Sequence, residues 1–70
     1  MTSKQVENLL SELLHEIGVG NRMAIEGHRE LLAAFNVHES NPTAENWAEV
    51  EYRAHGAMMC LPRKETPSAN

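Results

Sequence analysis

The sequence predicts an all-α chain, a helical hairpin with one long and one short helix that assembles as a homodimer. Three observations predict it. The first is an apolar or small seam, Val6, Leu10, Leu13, Ile17, Gly20, Ala24, Gly27, Leu31 and Ala34, in alternating steps of four and three residues. No charged residue interrupts it, and the period is that of a helix side laid against a partner. The second is Asn41-Pro42, a helix restart, followed by the same spacing through Trp47, Val50, Ala54, Ala57 and Leu61. The third is size. A chain of 70 residues with one cysteine, Cys60, has little core and no internal disulfide, so self-association is the expected route to stability.

The elements follow in order. Thr2 with Gln5 three residues later reads as a capping box, and Val6 opens the periodic run. Gly18-Val19-Gly20-Asn21 is the one place where the first helix could break, with Asn21 capping a second helix. Each glycine costs a helix interior about 1 kcal/mol relative to alanine. Because the seam keeps its phase across the glycines, one long helix over residues 3–36 is the favoured reading. Residues 36–41 read as a loop, and Asn41 as the cap of a helix over residues 42–61 that Pro62 stops. Residues 1–61 are thus the hairpin, and the polar stretch 62–70, with two prolines, reads as a flexible tail.

At 1.5 Å per residue the arms are about 50 Å and about 30 Å long, so the short arm covers only part of the long one. The uncovered Val6–Ile17 stripe then needs another chain. On this reading Val6, Leu10, Leu13, Ile17, Gly20 and Ala24 form the dimer interface, the small residues allowing close approach.

Composition narrows the function. Ten acidic against six basic side chains give a formal charge of −4. That disfavours direct nucleic-acid binding, which rests on basic patches, and suits a partner protein with a basic surface. The first residues lack a signal-peptide pattern, and no stretch approaches the ~18 apolar residues of a membrane span. A cytoplasmic location without membrane insertion is expected.

Few residues carry chemistry. Glu12-x-x-His15 has the spacing of helical di-iron sites, and Glu51-x-x-x-His55 is one residue too long for it. Both read first as solvated helix side chains, and no cofactor is expected. His28 and Asn21 fall on the apolar side of the first helix, as partly buried polar groups that set register or, alternatively, bind a ligand. Cys60 reads as a small buried filler. Beside the short arm's seam runs a second stripe, Ala48, Tyr52, His55 and Met59; Tyr and Met off the intramolecular face suit a protein interface or the rest of a dimer core. Lys4, Arg22 and Arg29 share an exposed face with Glu7, Glu26 and His15, either as a solvated surface or as arginine anchors.

The long seam from Val6 to Ala34, the Asn41-Pro42 restart and the short Trp47–Leu61 arm resemble, in architecture, the small all-helical inhibitors encoded by phages and prophages. Among these are quorum-sensing anti-activators, helical dimers that sequester a LuxR-type transcription factor, and some anti-CRISPR proteins. The resemblance implies a non-enzymatic module that inhibits a partner by stoichiometric surface occlusion; the second stripe and the arginine face then make Arg22, Arg29, Tyr52, His55 and Met59 the expected partner-binding residues. The hairpin is also similar in outline to phage cyclic-nucleotide sponges, although Pro62 stands where the last helix of that hairpin would continue. A small-ligand sponge is therefore the alternative, and a metal-dependent helical enzyme the third reading.

Overall fold

The computed structural model describes residues 1–62, so the expected tail beyond Pro62 lies outside the described residues. Those residues form three helices of similar length, α1 (Ser3–Gly18), α2 (Met23–Ser40) and α3 (Ala44–Met58), and no strand. The all-α expectation holds. The single long helix over 3–36 does not: the chain reverses between Gly18 and Met23, so the predicted long arm is two antiparallel helices.

The reversal has a local chemical cause. Gly20 takes φ +99°, a left-handed conformation that glycine enters without the steric cost a Cβ would bring. Around it the Gly20 amide donates to the Ile17 carbonyl at 3.1 Å, and the Asn21 amide to the Glu16 carbonyl at 2.9 Å. This is a Schellman closure, which satisfies carbonyls that a helix end leaves orphaned. Asn21 does not cap α2 with its side chain. Its amide instead donates to Glu16 Oε1 at 3.2 Å and to the Cys60 carbonyl at 2.8 Å, tying the α1–α2 turn to the residues after α3. Gly20→Ala is expected to cost about 1–2 kcal/mol, the penalty for a left-handed L-residue. Urea unfolding followed by circular dichroism measures it; an unchanged midpoint would refute the strain argument.

The other boundaries follow from capping. The Thr2 Oγ1 accepts from the Gln5 amide at 3.1 Å while Gln5 Oε1 accepts from the Thr2 amide at 2.8 Å, so the expected capping box forms. α2 runs to Ser40 rather than stopping at residue 36, because Phe35 and His38 still pack inward; the His38 imidazole lies 4.9 Å from the Trp47 ring, tilted by 59°. Thr43, not Asn41, caps α3, its hydroxyl accepting from the Asn46 amide at 3.1 Å. Asn41 leaves the helical region ahead of Pro42, as a residue before proline does, and its carbonyl accepts from the Asn46 side chain at 2.7 Å. α3 ends at Met58, before Pro62 can act as the stop, and residues 59–61 close with tightened i to i−3 bonds.

The core is shared by all three helices: Val6, Leu9 and Leu13 from α1, Ala24, Leu31, Ala34 and Phe35 from α2, and Val50, Ala54 and Ala57 from α3. The seam keeps its phase through the turn because each helix presents its own three-four stripe to the same core. This corrects the interface expected from the sequence. Val6, Leu13 and Ala24 are 0 % exposed within one chain, Leu10 and Ile17 pack half-buried against the core, and Gly20 is a solvent-exposed turn. Val6, Leu9 and Leu13 are covered by the chain's own α2 and α3, with Leu10 and Ile17 half-buried at the edge, and the argument from unequal arms disappears.

Gly27 sets the spacing of α2 on α3. A Cβ there would lie 3.1 Å from Cys60 Sγ and 3.3 Å from the Ala57 Cα, so only a bare backbone fits comfortably. Among the described residues no helix is long and apolar enough to cross a membrane.

Candidate functional site

The residues proposed for partner binding divide between two helices. Viewed down α3, Val50, Ala54 and Ala57 point to the core, and Ala48, Tyr52, His55 and Met59 lie on the side turned away from it. Tyr52 is 69 % and Met59 82 % exposed, the two largest values among the bulky apolar side chains. Together with Glu30, Arg53, His55 and Gly56 they line a shallow groove along the outer side of α3. The stripe expected beside the α3 seam is therefore one continuous surface.

Electrostatics order its floor. Arg53 Nε donates to Glu49 Oε2 at 2.7 Å, and its Nη1 reaches Glu30 Oε1 on α2 at 3.4 Å, bridging the two helices. The Glu49 hydrogen bond, more than any other contact, raises the Arg53 pKa further above its ordinary value. The guanidinium also sits 5.5 Å from the centre of the Tyr52 ring, within cation–π range. An exposed aromatic and an exposed thioether chain thus stand beside a cation held in place by two carboxylates. The arrangement presents adaptable apolar area edged by negative charge.

Arg22 and Arg29 are not part of this groove. Both are exposed, Arg22 in the turn just before α2 and Arg29 on it, and Arg29 forms a solvent-facing i,i+3 pair with Glu26 at 3.1 Å. Pairs of this exposure contribute little to stability. The five residues named from the sequence therefore form an α3 surface and a separate α2 edge.

The groups considered for metal or ligand binding are also distributed. Glu12 and His55 line the groove between α1 and α3, whereas His15, one turn along α1 from Glu12, is exposed and outside that groove. Glu51 Oε2 accepts from the Met1 amine at 2.9 Å, and that hydrogen bond, followed by the amine's charge, lowers its pKa. Among the described residues no three His, Cys, Asp or Glu side chains stand together as a set able to hold a metal ion. The space suggested for a small ligand near Asn21, His28 and the glycines is largely used by the fold. Asn21 bonds Glu16 and Cys60, and Ala57 and Cys60 fill the open side of Gly27.

Sequence reasoning missed His38. Its Nδ1 is buried without a hydrogen-bond partner, beneath the Trp47 ring at the α2–α3 junction. The signal was present in its phase with Leu31 and Ala34, but placing a loop at residue 36 hid it. Comparison with protein families, with curated proteins and with solved structures finds no match to this chain.

Proposed function

We propose that this chain is a non-enzymatic interaction module that binds a partner protein through the outer face of α3 and inhibits it by occupying its surface. The observation that carries the reading is the α3 stripe itself. Tyr52 and Met59 are the most exposed bulky apolar side chains, and they lie in one groove rather than scattered. Aromatic and methionine side chains set beside a charged rim are the composition of interface hot spots. The rim is acidic, with Glu30 and Glu49 flanking Arg53, and the whole chain carries −4, so the fitting partner has a basic surface. A DNA-binding regulator is one such protein, and covering its basic surface would silence it without any chemistry.

The test compares the intact chain with a Tyr52→Ala/Met59→Glu variant as baits, followed by titration of any captured protein. Both positions are exposed, so the variant should keep the helical signal and melting point. Loss of capture, with affinity reduced by about 30-fold or more, is expected from removing two central contacts worth about 2 kcal/mol or more. Recovery of the same proteins with the same affinity by both baits would reject the α3 site.

A further inference from the structure

We infer that Met59 is an oxidant-sensitive modification site, where conversion of the thioether to the sulfoxide makes the α3 stripe polar and switches its binding off without unfolding the chain. The effect on binding rests on the α3 reading of function; the site itself rests on where the methionines stand. The four methionines occupy graded surroundings. Met1 is half-buried and packs against the core. Met58 is 42 % exposed and lines the groove between α1 and α3 with Leu9 and Leu61. Met23 is 65 % exposed at the start of α2, outside the α3 groove. Met59 is 82 % exposed and lines the α3 groove with Tyr52, Arg53 and His55. A thioether carries no titrating proton, so solvent access to its sulfur governs attack on a peroxide. The neighbouring thiol is placed differently. Cys60 is half-buried, and a Cβ on Gly27 would lie 3.1 Å from its Sγ, so the thiol turns in against α2.

The oxidant is a hydroperoxide, hydrogen peroxide in the simplest case. A lone pair of the Met59 sulfur attacks one peroxide oxygen, and the S–O bond forms as the O–O bond breaks. The hydroxide released takes the proton from the new S–OH group and leaves as water. Sulfur gives up two electrons and peroxide accepts them. A pair of thiols reverses the change, yielding the thioether, a disulfide and water.

The product replaces a flexible apolar chain with a polar, chiral one. Its oxygen is a hydrogen-bond acceptor, and the groove holds donors for it. His55 stands one turn back along the helix, and Arg53, with Nε on Glu49 and Nη1 on Glu30, keeps further N–H groups. The stripe therefore loses apolar area at its most exposed point and gains a hydrated dipole there. The core is untouched, because Val50, Ala54 and Ala57 carry the buried side of α3.

Peptide mapping by tandem mass spectrometry, after timed exposure of the full chain to hydrogen peroxide at about pH 5, tests the site. Thiols react as thiolates, and acid suppresses that reaction without affecting thioethers. Sulfoxide should form first at Met59, then at Met23, Met58 and Met1. Met59 should react about twice as fast as Met58 or faster, following exposures of 82 % and 42 %. A Met23→Leu chain, which lacks the next most exposed sulfur, isolates the consequence. Its oxidised form should keep its helicity and melting point but elute earlier from a hydrophobic-interaction column. Met23→Leu/Met59→Leu should elute unchanged after the same treatment. As bait, the oxidised Met23→Leu chain should bind captured protein about tenfold or more weakly, and a sulfoxide reductase should restore binding. Oxidation of Met58 or Met1 ahead of Met59, unchanged elution, or loss of helicity with Met59 modified overturns the site. Equal binding by oxidised and untreated baits overturns the switch. If the untreated bait captures nothing, the α3 reading of function fails with the switch, while mapping and elution still decide the modification site.

Discussion

Leu31→Ala is expected to leave the chain largely unfolded near physiological temperature. Leu31 is fully buried at the middle of α2, in the core cluster that all three helices share. Truncating such a leucine costs about 2–5 kcal/mol, the lost transfer energy plus the cavity. A single core in a chain below about 70–80 residues supplies only about 3–5 kcal/mol of net stability. The loss is therefore comparable with the whole margin. Loss of the helical circular-dichroism signal at about 37 °C reads it directly, and Leu14→Ala, on the exposed flank of α1, is the matched control. A Leu31→Ala protein that melts with the wild type would show that the three helices do not depend on this core.

The second large effect is at Gly27. Gly27→Leu should separate α2 from α3, because its Cβ alone would meet Cys60 Sγ at 3.1 Å and the Ala57 backbone at 3.3 Å. Overpacking a tight site costs about 1–3 kcal/mol. Here it also strains the Asn21 bond to the Cys60 carbonyl, since that bond needs the end of α3 to stay against the turn. Gly27→Ala is a milder case, in which a gain of about 1 kcal/mol in helix propensity offsets the same close contacts. Urea midpoints should rank wild type and Gly27→Ala close together and Gly27→Leu far below. Adding Cys60→Ala to Gly27→Leu should recover only part of the loss, because the Ala57 backbone cannot move aside. Full recovery would place the crowding in the thiol alone.

These two residues also show which parts of the fold were legible. Leu31 and Gly27 stand in a periodic seam, and periodicity reports which side of a helix is buried without reporting against what. The seam runs on through Gly18–Arg22 in perfect step, so a straight helix and a hairpin share the same apolar pattern. What separates them is Gly20 at φ +99° and the Schellman bonds to Ile17 and Glu16, which stabilise the reversal locally. Closure of Val6, Leu9 and Leu13 onto α2 and α3 completes it. Burial inside one chain avoids the association entropy that a dimer seam must overcome.

The α3 stripe was legible for the complementary reason. Tyr52, His55 and Met59 lie well off the Val50–Ala54–Ala57 phase, so the two short neighbours α1 and α2 that pack on that phase leave the opposite side of α3 uncovered. Arg22 and Arg29 were grouped with that stripe only because sequence spacing carries no information about which helices stand side by side.

The sequence by itself determined that this protein is helical, which stripe of each helix is apolar, the capping box at Thr2, and that the α3 stripe lies off the helix's core-facing side. All of these follow from a period of 3.6 residues and the chemistry of neighbouring side chains. Only the tertiary structure decided that the long seam folds back on itself and that Thr43 rather than Asn41 caps α3. It also decided that Leu10 and Ile17 pack half-buried while Leu14, Ile25 and Leu32 stay exposed. Those outcomes depend on contacts between residues far apart in the chain, where a turn of four residues changes the partner of every position while leaving the pattern unchanged.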